Sequence, residues 1–172
     1  MLETVPRLDS VYWIMLASRF LHIVGAIILV GGLFYVRAIL APPADPRQDS
    51  DPDRLFGGRR AAWAMWVGIA TLLLLVTGLW NYLQLIRMHE KLAPSYHMIA
   101  GIKILIGFAV FLLAALLAGR SAAARSLRQK FRFWLTACLI LGLMTVVLGS
   151  VLRSYPRTHK LDAPPAPTVI AP

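Results

Sequence analysis

Residues 12–40 read YWIMLASRFLHIVGAIILVGGLFYVRAIL, and this stretch decides the fold. It exceeds the roughly 20 apolar residues that carry a helix across a bilayer core. It does not alternate as a barrel strand would. Backbone placed in lipid must satisfy its own hydrogen bonds, so such a run is a helix. Three more runs follow, at about 61–86, 96–118 and 131–152. The expectation is all-α: an integral membrane, four-transmembrane-helix antiparallel bundle. It would occupy residues 1–160, with 161–172 (LDAPPAPTVIAP) as a proline-rich, disordered tail.

Composition agrees. The chain is 58% apolar with a mean hydropathy of +0.66, more than a soluble domain of 172 residues could bury. Its net charge is +10, but the cations sit between the apolar runs and not on one face, which argues for membrane topology and against nucleic acid. The single cysteine, Cys138, excludes an internal disulfide and a multi-thiolate metal site. The N-terminal run is too long for the apolar part of a signal peptide, so it is expected to remain as a membrane helix.

The connections set the orientation. Residues 42–53 (PPADPRQDSDPD) form a polar linker whose aspartates lack calcium-loop spacing. With Arg19 and Lys103 set aside as intrahelical, ten basic residues border this linker and the third one: Arg37, Arg47, Arg54, Arg59, Arg60, Arg120, Arg125, Arg128, Lys130 and Arg132. Six lie at the other end: Arg7, Arg87, Lys91, Arg153, Arg157 and Lys160. The richer side is expected to be cytoplasmic, facing anionic lipids, with both termini outside. Small residues seven apart (Gly25 and Gly32, Ala100 and Gly107, Gly142 and Gly149) suit close helix packing.

Arg19, His22 and Lys103 interrupt the apolar runs. Arg or Lys at a helix centre costs roughly 2.5–3.5 kcal/mol on insertion scales, so such residues face a bundle interior or reach for an interface. At about 1.5 Å per residue, Arg19 lies about 10 Å below the outer end of its helix, His22 about 15 Å and Lys103 about 10 Å. Thr77 and Asn81 fall in the same outer half. Arg19 with His22, Thr77 with Asn81, and Tyr96 with Lys103 each share a helix face by spacing. The simplest packing turns these faces together into a cationic pocket.

Such a pocket favours an anionic ligand. A haem or porphyrin fits, with His22 on iron and Arg19 or Lys103 paired with propionates. Copper is the alternative, held by His22 with Met15 or Met98, although the cations oppose it. A third reading is a bundle with no cofactor that serves as a membrane assembly or partner subunit, and a homo-oligomer is compatible with all three. The competing structural reading is that Arg19 and Lys103 snorkel on their long stems and that His22 only hydrogen-bonds a neighbouring helix. His89 and His97 lie in or beside the outer turn, and His159 in the tail; these read as solvated.

Several of these residues carry a family resemblance. The first helix reads Arg19-Phe-Leu-His22-Ile and then Gly31-Gly-Leu-Phe-Tyr-Val-Arg37; the second holds Thr77-Gly-Leu-Trp80; the third has Tyr96 and then Lys103. This resembles the bacterial copper-resistance D (CopD) family and the HemJ-type protoporphyrinogen oxidases, short helical membrane proteins of the bacterial inner membrane. The resemblance implies that His22 ligates haem b and that Lys103 is a catalytic lysine in porphyrinogen oxidation. Arg19, Asn81 and Tyr96 would then line the cofactor site. Two departures narrow it. After Leu40 the chain reads Ala-Pro-Pro, where HemJ-type proteins continue with an aromatic and another histidine. The fourth helix opens Phe131-Arg-Phe-Trp134 in place of an Asn-Glu element. A CopD-like domain is the broader fit.

Overall fold

The computed structural model describes residues 10–41, 56–88, 94–119 and 129–154, with Ser121, Ala124, Ser126 and Leu127. Four long helices make up nearly all of it: α1 (Ser10–Tyr35), α2 (Arg60–Met88), α3 (Pro94–Ala118) and α4 (Phe131–Arg153). All four are long and apolar enough to cross a membrane. α1 continues into a wide π-helical turn, Val36–Leu40, closed by the Ala41 N–H donating to the Val36 carbonyl at 2.9 Å. Counted with the π turn that extends α1, the four helical spans begin and end within two residues of the expected runs. The linker 42–53, the turn at 89–93 and the tail lie outside the described residues.

One spacing explains the packing. Inward residues recur in steps of three and four: Ser18, His22, Gly25, Leu29, Leu33 and Val36 on α1; Val67, Ala70, Leu74, Thr77 and Asn81 on α2. On α3 they are Tyr96, Ala100, Lys103, Gly107, Val110, Ala114 and Leu117; on α4, Phe131, Leu135, Cys138, Gly142, Thr145, Gly149 and Leu152. Every one is buried or half-buried, and this repeat keeps one seam of a helix against its neighbours. The other faces are apolar and open, as for Phe20, Ile27, Leu72, Leu105 and Val147. Apolar exposure on this scale suits a hydrocarbon surround and would aggregate in water.

α1 packs along α2, and α3 along α4, more extensively than the two hairpins pack on each other. The α1–α2 seam is close because of Gly25, where a Cβ would stand 3.1 Å from Leu74 Cγ and 3.4 Å from the Ala70 carbonyl oxygen. Gly32 faces the same helix, near Trp63. Gly142 and Gly149 share a face yet serve different neighbours: Gly142 meets Val30 of α1, and Gly149 meets Lys103 of α3. Gly107 has open space where its Cβ would be, so of the third pair only Ala100 is tightly packed.

Candidate functional site

The apolar core is in two parts. The larger gathers Leu29, Leu33, Val110, Leu117, Phe131, Leu135 and Cys138. The smaller, at the end where α2 finishes and α3 starts, gathers Tyr96, Ala100 and Leu152. Between them the inward positions are polar or bare: His22, Thr77, Lys103, Thr145 and Gly149. All eight Asp and Glu residues of the chain lie outside the four helices, so the formal charge within this layer is cationic.

His22 is half-buried against α2, with Nδ1 2.9 Å from Thr77 Oγ1. Thr77, itself buried, donates its hydroxyl proton to the Leu73 carbonyl at 2.6 Å. A hydroxyl has one proton to give. Oγ1 therefore accepts from the ring, which makes Nδ1 the donor when the imidazole is neutral. The lone pair is then on Nε2. Gly78 makes the approach possible, because a Cβ there would lie 3.1 Å from His22 Cε1. An imidazole with one nitrogen tied to a neighbour is how proteins orient a metal-binding histidine.

Lys103 enters the same layer from α3. Its Nζ lies 3.1 Å from where a Gly149 Cβ would stand, so the ammonium fills the notch that α4 leaves. Thr145 spends its hydroxyl on the Gly142 carbonyl at 2.7 Å.

The structure thus joins His22 to Thr77, turns Lys103 inward against Gly149, and keeps Arg19 exposed. Arg19 is exposed beside Phe20, and Ser18 takes the inward place one turn before His22. Among the described residues the buried Ser18 hydroxyl has no hydrogen-bond partner. Asn81 is half-buried one turn beyond Thr77. Tyr96 belongs to the smaller apolar cluster, two turns from Lys103. His97 is exposed with Nδ1 3.4 Å from Tyr82 Oη, Met98 is exposed and Met15 half-buried. Among the described residues no three His, Cys, Asp or Glu side chains come together as a metal cluster.

Sequence reasoning missed two structural arginines at the opposite end. Arg37 donates from Nε to Thr136 Oγ1 at 2.7 Å and from Nη1 to the Ala41 carbonyl at 3.1 Å. Arg60 is buried and donates from Nε to the Ala118 carbonyl at 3.3 Å and from Nη2 to the Gly119 carbonyl. A guanidinium at the C-terminal end of α3 caps its last carbonyls and offsets the helix dipole. The signal was there: Arg60 is seven residues before Val67, on the inward stripe.

Comparison of the chain with family models, curated proteins and solved structures returns no match.

Proposed function

We propose that this is a bacterial inner-membrane protein of CopD/HemJ-like character whose His22–Lys103 layer binds an anionic tetrapyrrole, haem b. The observation that carries the reading is the His22–Thr77–Leu73 chain of hydrogen bonds, which leaves Nε2 with the lone pair. In this reading His22 Nε2 is the iron ligand, Thr77 holds the ring, and Lys103 pairs with a propionate carboxylate. When bound, haem supplies one-electron redox chemistry; the chain's own residues bind and orient it.

The donor set favours haem over copper. One imidazole beside a fixed cation is a poor home for Cu(I), which prefers several soft ligands and is repelled by the ammonium. An anionic macrocycle turns the same lysine from an obstacle into a partner. The positive-inside count supports termini on the extracytoplasmic side, which would put the layer in the outer half of the membrane.

The test is the absorbance spectrum of the protein purified from membranes. A Soret band that His22→Ala abolishes is the expected result. Protein that stays colourless after reconstitution with haem overturns the proposal and leaves the assembly-subunit reading in place.

A further inference from the structure

We propose that a groove between α2 and α3 holds one acyl chain of an anionic phospholipid, with the headgroup at Arg59 and Arg60. This does not depend on the haem reading. The groove has a volume of about 310 Å³, and its walls include Ala64, Gly68, Thr71, Leu75, Ala115 and Gly119. It lies away from His22 and Lys103, at the contact between the two hairpins, which is less extensive than the packing within either. Gly68 leaves it open, since nothing stands within 4 Å of where its Cβ would be.

Three observations identify the occupant. From Ala64 to Leu75 the α2 wall runs about 16 Å, which matches one leaflet of a hydrocarbon core about 30 Å thick. The wall is almost wholly apolar, as an acyl chain requires. The groove also ends in positive charge. Arg60 is fixed on the Ala118 and Gly119 carbonyls, and both of those residues line the groove. Arg59 beside it is exposed. A phosphate at this end meets cations at the level where headgroups lie.

Charge also argues against the rival occupant, a second copy of the chain. Two copies seated here in parallel would bring both Arg59–Arg60 pairs together, and no helix supplies a carboxylate to offset them. Small residues alone would suit either occupant; the arginines favour the lipid.

The experiment is native mass spectrometry of the purified full chain, delipidated and then offered phosphatidylglycerol or phosphatidylcholine with identical acyl chains. Wild-type protein is expected to retain phosphatidylglycerol about fivefold better, the scale of one basic side chain at an anionic surface. Gly68→Leu should lose retention of both lipids, because its side chain occupies the groove. Arg59→Gln removes the exposed cation and should shrink the preference for phosphatidylglycerol to what the buried Arg60 contributes. Equal retention of the two lipids by wild type overturns the proposal, as does wild-type retention by Gly68→Leu. Efficient disulfide cross-linking of Gly68→Cys into dimers would assign the groove to a second copy.

Discussion

Thr77 Oγ1 stands 2.9 Å from His22 Nδ1 and 2.6 Å from the Leu73 carbonyl, so a single hydroxyl proton determines which imidazole nitrogen carries the lone pair. Thr77→Val keeps the shape and removes both bonds. The expected loss of stability is about 1 kcal/mol, the usual worth of a hydrogen bond between membrane helices. Haem affinity should fall further, by about 10- to 100-fold, as when other histidine-orienting partners are removed. Thr77→Ser should restore affinity. A haem titration followed at the Soret band, set beside thermal melting in detergent, separates the two effects. Equal affinities for wild type and Thr77→Val would show that the ring needs no such tether.

Gly149 and Gly25 make a matched pair. At each, an added Cβ would come within 3.1 Å of another helix, but the neighbours differ: the tip of the Lys103 side chain at one, Leu74 Cγ with the Ala70 backbone close behind at the other. A lysine tip moves cheaply and a packed backbone does not. Gly149→Ala should therefore leave the melting temperature near wild type while displacing the ammonium from the layer. Gly25→Ala should cost about 1–3 kcal/mol through overpacking. If Lys103 serves an anionic ligand, Gly149→Ala and Lys103→Gln will weaken haem binding by a similar factor, about tenfold. Gly149→Ala melting as low as Gly25→Ala would mean that α4 cannot spare the notch.

Arg60 carries the third prediction. It is buried and donates to the Ala118 and Gly119 carbonyls at the end of α3. Arg60→Leu removes the cap and strands those acceptors, at an expected cost of about 2–3 kcal/mol. Arg60→Lys should recover only part of this, because an ammonium cannot span both carbonyls as a planar fork does. Chemical denaturation in mixed micelles gives the three stabilities; a fully restored lysine variant would reduce the role of Arg60 to its charge alone.

The helices were legible in the sequence and their facing was only partly so, for one physical reason. A bilayer imposes a length requirement, and four apolar runs of sufficient length state their own limits to within two residues. It imposes no polar face, so apolar periodicity cannot say which side turns inward. Spacing alone paired Arg19 with His22, yet Arg19 is exposed. Following the small residues would have done better, because steps of three and four back from Leu29 pass through Gly25 and His22 to Ser18. Lys103 lies on the same kind of stripe, between Ala100 and Val110, and so turns inward toward α4. Arg60 escaped because a cation at a helix start reads as topology, whereas its partners come from the far end of another helix.

Arg19 supplies the last prediction. It is exposed and stands at nearly the depth of His22, with Phe20 open beside it. Its stem is long enough to carry the guanidinium toward the interface without entering the bundle. Neutralising it should then change little: Arg19→Gln is expected within about 0.5 kcal/mol of wild type in stability, with haem affinity unchanged. Lys103→Gln in parallel should lose affinity, because that cation faces the layer. The comparison isolates position from charge, since both substitutions remove one positive group from the same half of the membrane. Should Arg19→Gln weaken haem binding as much as Lys103→Gln does, the guanidinium must swing inward when ligand binds, and the propionate partners would have to be reassigned to α1 as well as α3.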